Sequence, residues 1–490
     1  MITIDELVLK IQNYNPKADF ALIQKAYEFA KTAHKGQFRL SGDPTISHPL
    51  TVANTLAEYK LDSAAIAAGL LHDTIEDAGI SKEELTREFN KEIAEIVDGV
   101  TKIGKIKLQG STEEFFVENL RKMLLAMAKD LRVIMVKLAD RYHNMQTLNF
   151  LSKEKQTKIA RETLEIYAPL AERLGMGKIK GELEDLAFPY VYPKDYQWVM
   201  EYSRLHYKKA EEFLEKATRI VYKELAKEGI HAKITARPKH LYSLWRKLLR
   251  PEINKDISKI YDLVAMRILV ESIKECYATL GILHALWKPV PNQGISDFIA
   301  LPKPNGYRSL HTKVFSLNER ILEVQIRTFE MHEEAENGIA AHWHYAGAKS
   351  TGLSDAKLEK GVFAPQDKLS WVRQLVAWQK EIVDSKEFLD ALKFDALAHR
   401  IFVFSPKGDV YDLPQGSTPV DFAYAVHTNL GNEIKAAKVN GKIVSLDYKL
   451  KSGDMVEILK KEGGSPSEKW LRFAVTQQAR RNILRHSKKI

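Results

Sequence analysis

The sequence has little that would point to a secreted or membrane protein. Among its 490 residues Cys276 is the only cysteine, so neither a disulfide framework nor a cysteine-rich zinc module can form, which indicates a reducing compartment. No apolar run approaches the length of about 18 residues that a membrane span needs. The N-terminal residues also lack the apolar region of a signal peptide. We therefore expect a cytoplasmic protein without membrane contact.

Other absences narrow the function. A Gly-Lys-Ser/Thr phosphate loop does not occur, which argues against an ordinary ATPase, and there is no internal repeat or low-complexity tract. Lys and Arg outnumber Asp and Glu by 74 to 64, for a net charge of +10 and a pI near 9.1. This modest excess favours anionic partners such as nucleotides or RNA, although many soluble proteins are equally basic. The length suggests about three domains.

The periodicity of apolar residues changes along the chain. Residues 1–190 have helical spacing nearly throughout, which predicts an all-α domain. A charged helical stretch, 191–236, links it to residues 237–346, where "IYDLVAMRILV" and "ILEVQIRT" predict strands of an α+β domain. Residues 347–398 begin with a polar segment rich in small residues, which indicates a linker followed by helices.

The C-terminal part has a third pattern. Residues 399–460 contain short apolar segments separated by Lys-Gly, Asn-Gly and Ser-Gly pairs, which predict a small β-rich domain. Residues 461–490 begin a basic helical region.

One apolar helix ends in a group of ionisable residues. The stretch "GLLHDTIEDAG" (69–79) continues the apolar run Ala64–Leu71 and carries His72, Asp73, Glu76 and Asp77. We expect these side chains to be buried, and a buried charge without a partner costs about several kcal/mol. Two further ionisable residues raise the same question: His48, which precedes a proline, and Asp140, at the end of the apolar stretch "VKLAD".

These histidines and carboxylates form a nitrogen and oxygen donor set that suits Mn, Fe or Zn. Any one of them, taken alone, is more often a core histidine or a helix cap. Together they predict a metal site on helices.

The motifs resemble a known family. His48-Pro49, His72-Asp73 and the Asp of "LADR" resemble the HD metal-dependent phosphohydrolases, and "AHKGQFRLSGDP", "GLLHDTIEDAG", "KLADRYHNMQT" and "YAPLAERLGMG" resemble the hydrolase domain of RelA/SpoT homologues. The resemblance implies that His48, His72, Asp73 and Asp140 bind Mn²⁺, that Glu76 and Asp77 orient the attacking water, and that Arg39 and Asn144 contact the guanosine of (p)ppGpp.

A second group of polar residues lies on predicted strands. Alternation in "ILEVQIRT" places Glu323, Gln325 and Arg327 on one face of a strand and apolar residues on the other. Such a polar row is either a solvent-exposed face, which is the commoner case, or the floor of a site. Asp262, in "IYDLVAMRILV", supplies another carboxylate on a second predicted strand.

A basic stretch precedes these strands. "ARPKHLYSLWRKLLR" concentrates cations around one hydroxyl, Ser243, and several cations can bind one chain of phosphates. A basic helix face alone would be unremarkable. "KPNGYRSLHT" adds Tyr307, whose ring could stack on a base.

These stretches, with "MHEEAENGIAAHWHY", resemble the RelA/SpoT synthetase domain, which has a nucleotidyltransferase-like fold. The resemblance implies transfer of pyrophosphate from ATP to the 3′-hydroxyl of GDP or GTP. In this comparison Asp262 and Glu323 would bind Mg²⁺, and Glu323 would also accept the hydroxyl proton. Arg237, Lys239, Ser243 and Lys247 would bind the ATP phosphates, and Tyr307 would stack on the acceptor guanine near Arg308, His311 and Gln325.

The segment from "IFVFSPKGDVYDLP" to "DMVEIL" resembles the TGS domain of long RelA/SpoT proteins, which is small and β-grasp-like. The resemblance associates His427 with the 3′ end of tRNA, so tRNA and the ribosome are possible partners; a packed helix residue is an equal alternative. The chain ends inside what resembles the family's helical region, so we expect either a C-terminally truncated form of the protein or a short natural form.

We therefore expect a bifunctional (p)ppGpp synthetase and hydrolase with three domains: an all-α HD domain, an α+β synthetase domain and a TGS domain. A hydrolase with a weak or silent synthetase is the main alternative, and a regulator that binds tRNA or ribosomes is a third. The carboxylates Asp262 and Glu323 argue against the former, and the complete HD set argues against the latter. Leu40 departs from the family pattern, in which a lysine usually follows the arginine.

Overall fold

The structure is a computed structural model. It describes residues 2–104, 125–127, 129–291, 295–303, 305–341, 400–461 and 463–487. The chain divides into two compact units, one formed by Met1–Lys105 and Asp130–Ala364 and the other by Ile106–Lys129 and Pro365–Ile490. The linker and helices predicted for 347–398 lie outside the described residues. Within the described ranges, no helix combines the length and the apolar character that a membrane span requires.

The first part of the larger unit is helical, which confirms the all-α prediction. Its helices are Ile4–Tyr14, Phe20–Ala33, Ser47–Glu58, Ser63–Leu71, Thr74–Asp77, Lys82–Glu88, Lys91–Gly104, Arg132–Gln146, Lys153–Glu162, Ala168–Arg173 and Gly177–Val191. A π-helical turn, Thr163–Tyr167, joins two of them, and a 3₁₀ turn, Leu148–Phe150, follows another.

Two of these helices pack unusually closely. Helix Ser63–Leu71 is buried on nearly all sides and lies against helix Ser47–Glu58. At Gly69 an added Cβ atom would lie 2.5 Å from Cδ1 of Leu56, so a larger residue would have to displace the Leu56 side chain. The close packing brings His48, near the start of one helix, to the end of the other.

The second part of the same unit contains a five-stranded sheet. Its strands are β1 Lys233–Pro238, β2 Val264–Val270, β3 Ser296–Asp297, β4 Leu310–Phe315 and β5 Ile321–Thr328. Their order in the sheet is β1-β2-β5-β4-β3. Strand β2 pairs with β5 in parallel, and the other neighbours pair antiparallel. The accompanying helices are Pro193–Lys227, Leu241–Leu248, Ile273–Leu286 and Phe329–Asn337.

One face of this sheet packs into an apolar core. Leu322, Val324 and Ile326 of β5 are fully buried there against the C-terminal half of helix Pro193–Lys227 and against helix Ile273–Leu286. The α+β prediction is therefore confirmed. The long helix lies within the predicted linking stretch 191–236, yet it supplies Val221 and Leu225 to the core beneath the sheet.

The smaller unit is β-rich, as predicted. It contains β6 Arg400–Phe404, β7 Val410–Pro414, β8 Ile434–Val439, β9 Lys442–Val444 and β10 Val456–Lys460, with helices Pro419–Val426, Thr428–Asn432 and Gln477–Ser487. Strands β8 and β9 pair antiparallel and are joined by a turn at Asn440 and Gly441. Both turn residues have positive φ, 51° for Asn440 and 80° for Gly441. That conformation explains the Asn-Gly turn signal in the sequence.

Candidate active sites

Two histidines and a carboxylate converge in the helical domain. The ligand atoms of His48, His72 and Asp140 all lie within 4.8 Å of one another, and all three residues are buried. Nε2 of His48 is 3.2 Å from Nε2 of His72 and 3.2 Å from Oδ1 of Asp140. Asp73 lies beside them, with Oδ1 3.0 Å from Nε2 of His72 and Oδ2 3.4 Å from Nε2 of His48. Acceptor atoms of this kind at these distances can bind a divalent metal ion.

The outer nitrogens of both histidines are already hydrogen-bonded. Nδ1 of His72 donates to the carbonyl oxygen of Gly69 at 2.8 Å, which leaves the Nε2 lone pair for a metal. Nδ1 of His48 lies 2.6 Å from Nδ1 of His143. Burial, followed by the charges of His48 and Arg39, lowers the pKa of His143 to about 4, so His143 is neutral and can accept this bond. Such contacts orient metal-binding imidazoles.

Asp140 is held by its own helix, Arg132–Gln146. Lys137 Nζ lies 2.7 Å from its Oδ2, and Nδ2 of Asn144 donates to its Oδ1 at 2.5 Å. Burial raises the pKa of Asp140, but Lys137 and the two histidines outweigh it and hold the pKa well below its usual value. The carboxylate is therefore ionised, as a metal ligand must be.

The expected burial of all four ionisable residues in 69–79 holds only for His72, because Asp73 is half-buried and the other two are exposed. The helix ends at Leu71, and a separate short helix, Thr74–Asp77, exposes Glu76 and Asp77 to solvent. Asp77 lines the cavity in front of the metal cluster, whereas Glu76 does not contribute to its lining among the described residues. Burial, followed by the charge of Asp73, raises the pKa of Asp77.

A cavity of about 500 Å³ opens beside this cluster. Arg39 and Asn144 line it together, and Nη2 of Arg39 donates to Oδ1 of Asn144 at 3.4 Å. Arg39 lies on a tight turn between Phe38 and Pro44, in which Gly42 has a φ of 89°. Leu40 lies at the rim of the cavity on that turn and is 76% exposed.

The second site lies on the polar face of the five-stranded sheet. Gln325 and Arg327 are only 5% and 1% exposed, so the polar row of β5 is a covered floor and the solvent-exposed alternative is wrong. Nη1 of Arg237 donates to Oε1 of Gln325 at 3.3 Å, and Nε2 of Gln325 donates to Oε1 of Glu323 at 3.4 Å. Residues from β1 and β5 are thus connected across β2.

Asp262 lies in a turn directly before β2, and not on the strand as predicted. Its two carboxylate oxygens accept from Lys239 Nζ at 2.6 Å and Lys247 Nζ at 2.7 Å. Burial raises the pKa of Asp262, but the two lysines outweigh it and lower the pKa to about 2. Lys239 also feels the charge of Glu323, although its ion pair is with Asp262.

Aromatic and cationic groups lie beside this polar face. The hydroxyl of Tyr307 is 2.7 Å from Nε2 of His311, and Nζ of Lys303 lies 5.1 Å from the centre of the Tyr307 ring. Burial, followed by Lys303 and Arg327, lowers the pKa of His311 to about 3, so the imidazole is neutral. Arg308 forms an ion pair with Glu334 at 2.9 Å.

Sequence reasoning did not single out Lys137, His143 or Lys303. Helical spacing could have found the first two, because both are three residues from Asp140 on its helix.

Ser243, which was predicted, has its hydroxyl 3.4 Å from Oε2 of Glu184.

In the smaller unit His427 is exposed and immediately precedes helix Thr428–Asn432, where its Nδ1 accepts the N–H of Asn429 at 3.2 Å. It is therefore not a packed core residue.

Three domain families match successive parts of the chain. Residues 26–177 match the model of the HD domain, residues 236–350 that of the region found in RelA / SpoT proteins, and residues 401–460 that of the TGS domain. A guanosine-3′,5′-bis(diphosphate) 3′-pyrophosphohydrolase from Aquifex aeolicus is 47% identical over 489 residues, covering 100% of this chain and 67% of the relative. The chain belongs to the RelA/SpoT family.

Other relatives bear names for the opposite activity or for both. A GTP pyrophosphokinase from Myxococcus xanthus is 48% identical, over 96% of this chain and 61% of the relative. A bifunctional (p)ppGpp synthase/hydrolase RelA from Mycobacterium tuberculosis is 45% identical, over 98% of this chain and 64% of the relative. The chain thus spans about three fifths of the length of these two RelA/SpoT relatives.

Proposed function

We propose that this chain both makes and degrades (p)ppGpp. One site transfers pyrophosphate from ATP to the 3′-hydroxyl of GDP or GTP, and the other removes the 3′-pyrophosphate from (p)ppGpp. The observation that carries the proposal is the presence, in one compact unit, of the His48, His72 and Asp140 cluster and of a separate polar sheet face with Asp262 and Glu323. Relatives named for each reaction support it.

At the hydrolase site we assign His48, His72, Asp73 and Asp140 to a Mn²⁺ ion. When bound, such an ion lowers the pKa of its water and polarises a phosphoryl oxygen. Asp77, together with Glu76, accepts hydrogen bonds from the attacking water and so directs it toward the phosphorus atom. The raised pKa of Asp77 suits a carboxylate that takes up a proton during the reaction.

The substrate of this site would occupy the cavity beside the cluster. Arg39 and Asn144 contact the guanosine, and the two residues hold each other in place through their hydrogen bond. Lys137 and Arg141 add positive charge to the lining, and cations at these positions attract the phosphate groups.

At the synthetase site Asp262 and Glu323 would hold Mg²⁺, and such an ion would supply positive charge for the transferred pyrophosphate. Glu323 also accepts the proton of the 3′-hydroxyl. Arg237, Lys239, Ser243 and Lys247 bind the ATP phosphates. Lys239 and Lys247 are ion-paired with Asp262 in the structure, so phosphates that attract these lysines would leave carboxylate oxygens of Asp262 able to hold a metal.

The acceptor nucleotide lies against the remaining residues. Tyr307 stacks on the guanine, and Arg308, His311 and Gln325 lie around it. Since the pKa of His311 is lowered to about 3, the neutral imidazole serves as a hydrogen-bond partner and not as a charge.

The remaining assignments also belong to this proposal. We place the domain boundaries at residues 190, 236, 346, 398 and 460, and the protein in the cytoplasm. His427, exposed on the TGS domain, would contact tRNA on the ribosome.

One experiment tests the proposal and separates it from a hydrolase with a silent synthetase. The purified chain is incubated with ATP, GDP and Mg²⁺, and separately with ppGpp and Mn²⁺, and nucleotides are resolved by ion-exchange chromatography. We expect ppGpp and AMP in the first mixture and GDP with pyrophosphate in the second. If GDP forms in the second mixture but no ppGpp forms in the first, the result supports a hydrolase with a silent synthetase.

A further inference from the structure

The segment that carries the phosphate-binding residues is short and is anchored from outside. Strand β1 ends at Pro238 and helix Leu241–Leu248 begins three residues later. Lys239 therefore lies in the short junction between them, and Ser243 lies in the first turn of the helix. The N–H of Lys239 donates to the carbonyl oxygen of Leu263 at 2.9 Å, and the hydroxyl of Tyr207 donates to the carbonyl oxygen of Lys239. These bonds fix the strand side of the junction.

The helix side depends on a carboxylate from another helix. The first N–H groups of an α-helix have no partner within it and need an acceptor. Among the described residues, His240 at the N-cap makes no side-chain capping bond of its own. Instead Oδ1 of Asp185 accepts a hydrogen bond from the N–H of Tyr242 at 3.0 Å, and Oδ2 of Asp185 is hydrogen-bonded to Nδ1 of His240 at 2.7 Å.

A glycine makes this contact possible. Asp185 lies on helix Gly177–Val191, one turn after Gly181. A Cβ atom at residue 181 would lie 2.3 Å from Nε2 of His240, too close for the imidazole ring to keep its position. Any larger residue at 181 would therefore displace His240 from Asp185.

We propose that Asp185, approached by His240 across Gly181, is a positioning residue for pyrophosphate transfer: it caps helix Leu241–Leu248 from outside and so holds Lys239 and Ser243 in register for the phosphates of ATP. This inference rests on the proposed synthetase function. Asp185 touches neither nucleotide nor metal in this role, and it acts through the backbone of the segment that does. A carboxylate at a helix N-terminus is also favoured by the helix dipole.

The test measures pyrophosphate transfer by the full chain at varied ATP concentrations, and the affinity for a non-hydrolysable ATP analogue by calorimetry. Asp185→Ala is expected to raise the KM for ATP about fivefold, the effect of losing one helix cap, to weaken analogue binding by a similar factor, and to change kcat less than twofold. Asp185→Asn keeps an acceptor for the Tyr242 N–H and should restore most of the affinity. Gly181→Ala should act in the same direction as Asp185→Ala.

Glu201→Ala, at an exposed position on the neighbouring helix, is the matched control and should behave as the parent chain. Unchanged KM and analogue affinity in Asp185→Ala and Gly181→Ala would overturn the inference, and so would an equal loss of ppGpp hydrolysis, which would show a general structural effect. If Asp185→Ala fails to fold, the KM for ATP and the analogue affinity of Gly181→Ala and Asp185→Asn decide whether the inference holds. If the parent chain neither binds the analogue nor forms ppGpp, the proposed synthetase function itself fails.

Discussion

The two candidate sites of the larger unit differ in which atoms converge. At the hydrolase site, acceptor atoms of His48, His72 and Asp140 meet within 4.8 Å, an arrangement that binds a cation. At the synthetase site, the ammonium groups of Lys239 and Lys247 converge on Asp262, an arrangement that binds phosphates next to a metal. The first arrangement therefore suits a metal ion, and the second suits a polyanion.

The sites also differ in what supports them. The hydrolase ligands are fixed by bonds within and between helices, such as the bond from His72 Nδ1 to the carbonyl oxygen of Gly69. The synthetase residues are fixed by strand pairing, which places His311 opposite Gln325 and Lys313 opposite Glu323. Variants should therefore separate the two reactions cleanly.

The sharpest separation is expected from Asp73→Ala. It removes a ligand from the hydrolase site only, so ppGpp hydrolysis should fall below detection and Mn²⁺ should no longer be retained, while pyrophosphate transfer stays near that of the parent chain. Metal content after gel filtration and both reaction rates are the measurements. A variant that still hydrolyses ppGpp at nearly the parent rate would show that the metal assignment is wrong.

Glu323→Gln is the converse variant. It removes both a metal contact and the proposed base, so synthesis should fall by about a hundredfold or more, with ppGpp hydrolysis unchanged. Initial rates of ppGpp formation from ATP and GDP give the answer. If pyrophosphate transfer is unaffected, the polar sheet face is not the site of synthesis.

A smaller effect is expected from coupling between the sites. Helix Gly177–Val191 contacts both domains: it packs against helix Arg132–Gln146, which carries Asp140, and its Asp185 is bonded to His240. The stretch 191–236 connects the two domains less directly, because its helix Pro193–Lys227 packs into the core of the synthetase domain. We predict that nucleotides at one site weaken binding at the other by about 5- to 150-fold, a coupling free energy of about 1–3 kcal/mol.

This coupling can be measured with a Glu76→Gln, Asp77→Asn variant, which should bind ppGpp without hydrolysing it. Calorimetry gives its affinity for ppGpp with and without a non-hydrolysable ATP analogue plus GDP. Equal affinities would show that the two sites are independent and that the shared helix transmits nothing.

Leu40→Lys should have the smallest effect. Leu40 is 76% exposed at the rim of the hydrolase cavity, where a lysine would add one solvent-screened contact to phosphate. We expect the KM for ppGpp to fall by about fivefold at most, equivalent to about 1 kcal/mol, with synthesis unaffected. Leu40→Gln, which has similar length and no charge, is the control. An unchanged KM in the lysine variant would show that charge at this position is dispensable.

How far the sequence predicts these sites depends on the kind of interaction. Strand periodicity correctly separated Glu323, Gln325 and Arg327 from the apolar residues of β5, because side chains alternate in any strand. It could not tell that this face is covered, since burial depends on elements distant in the chain. The donor types of His48, His72 and Asp140 predicted a metal site, and the family resemblance implied the ligand set, but spacing alone does not indicate which helices pack together.

Local breaks in structure caused the errors. The apolar run up to Leu71 suggested that His72, Asp73, Glu76 and Asp77 share a buried helix, but the helix ends there and Glu76 and Asp77 turn outward. Asp262 similarly precedes its predicted strand. Contacts such as that of Asp185 with His240 join residues 55 positions apart and leave no local pattern.

The stoichiometry of one mixture tests the central claim most directly, that both reactions occur in this chain. The chain is incubated with ATP, GDP, Mg²⁺ and Mn²⁺, and AMP and ppGpp are quantified over time. Each synthesis releases one AMP, and hydrolysis returns ppGpp to GDP, so AMP should exceed ppGpp increasingly in the parent chain and equal it in Asp73→Ala. Equal amounts of AMP and ppGpp in the parent chain, or no AMP at all, would contradict the account.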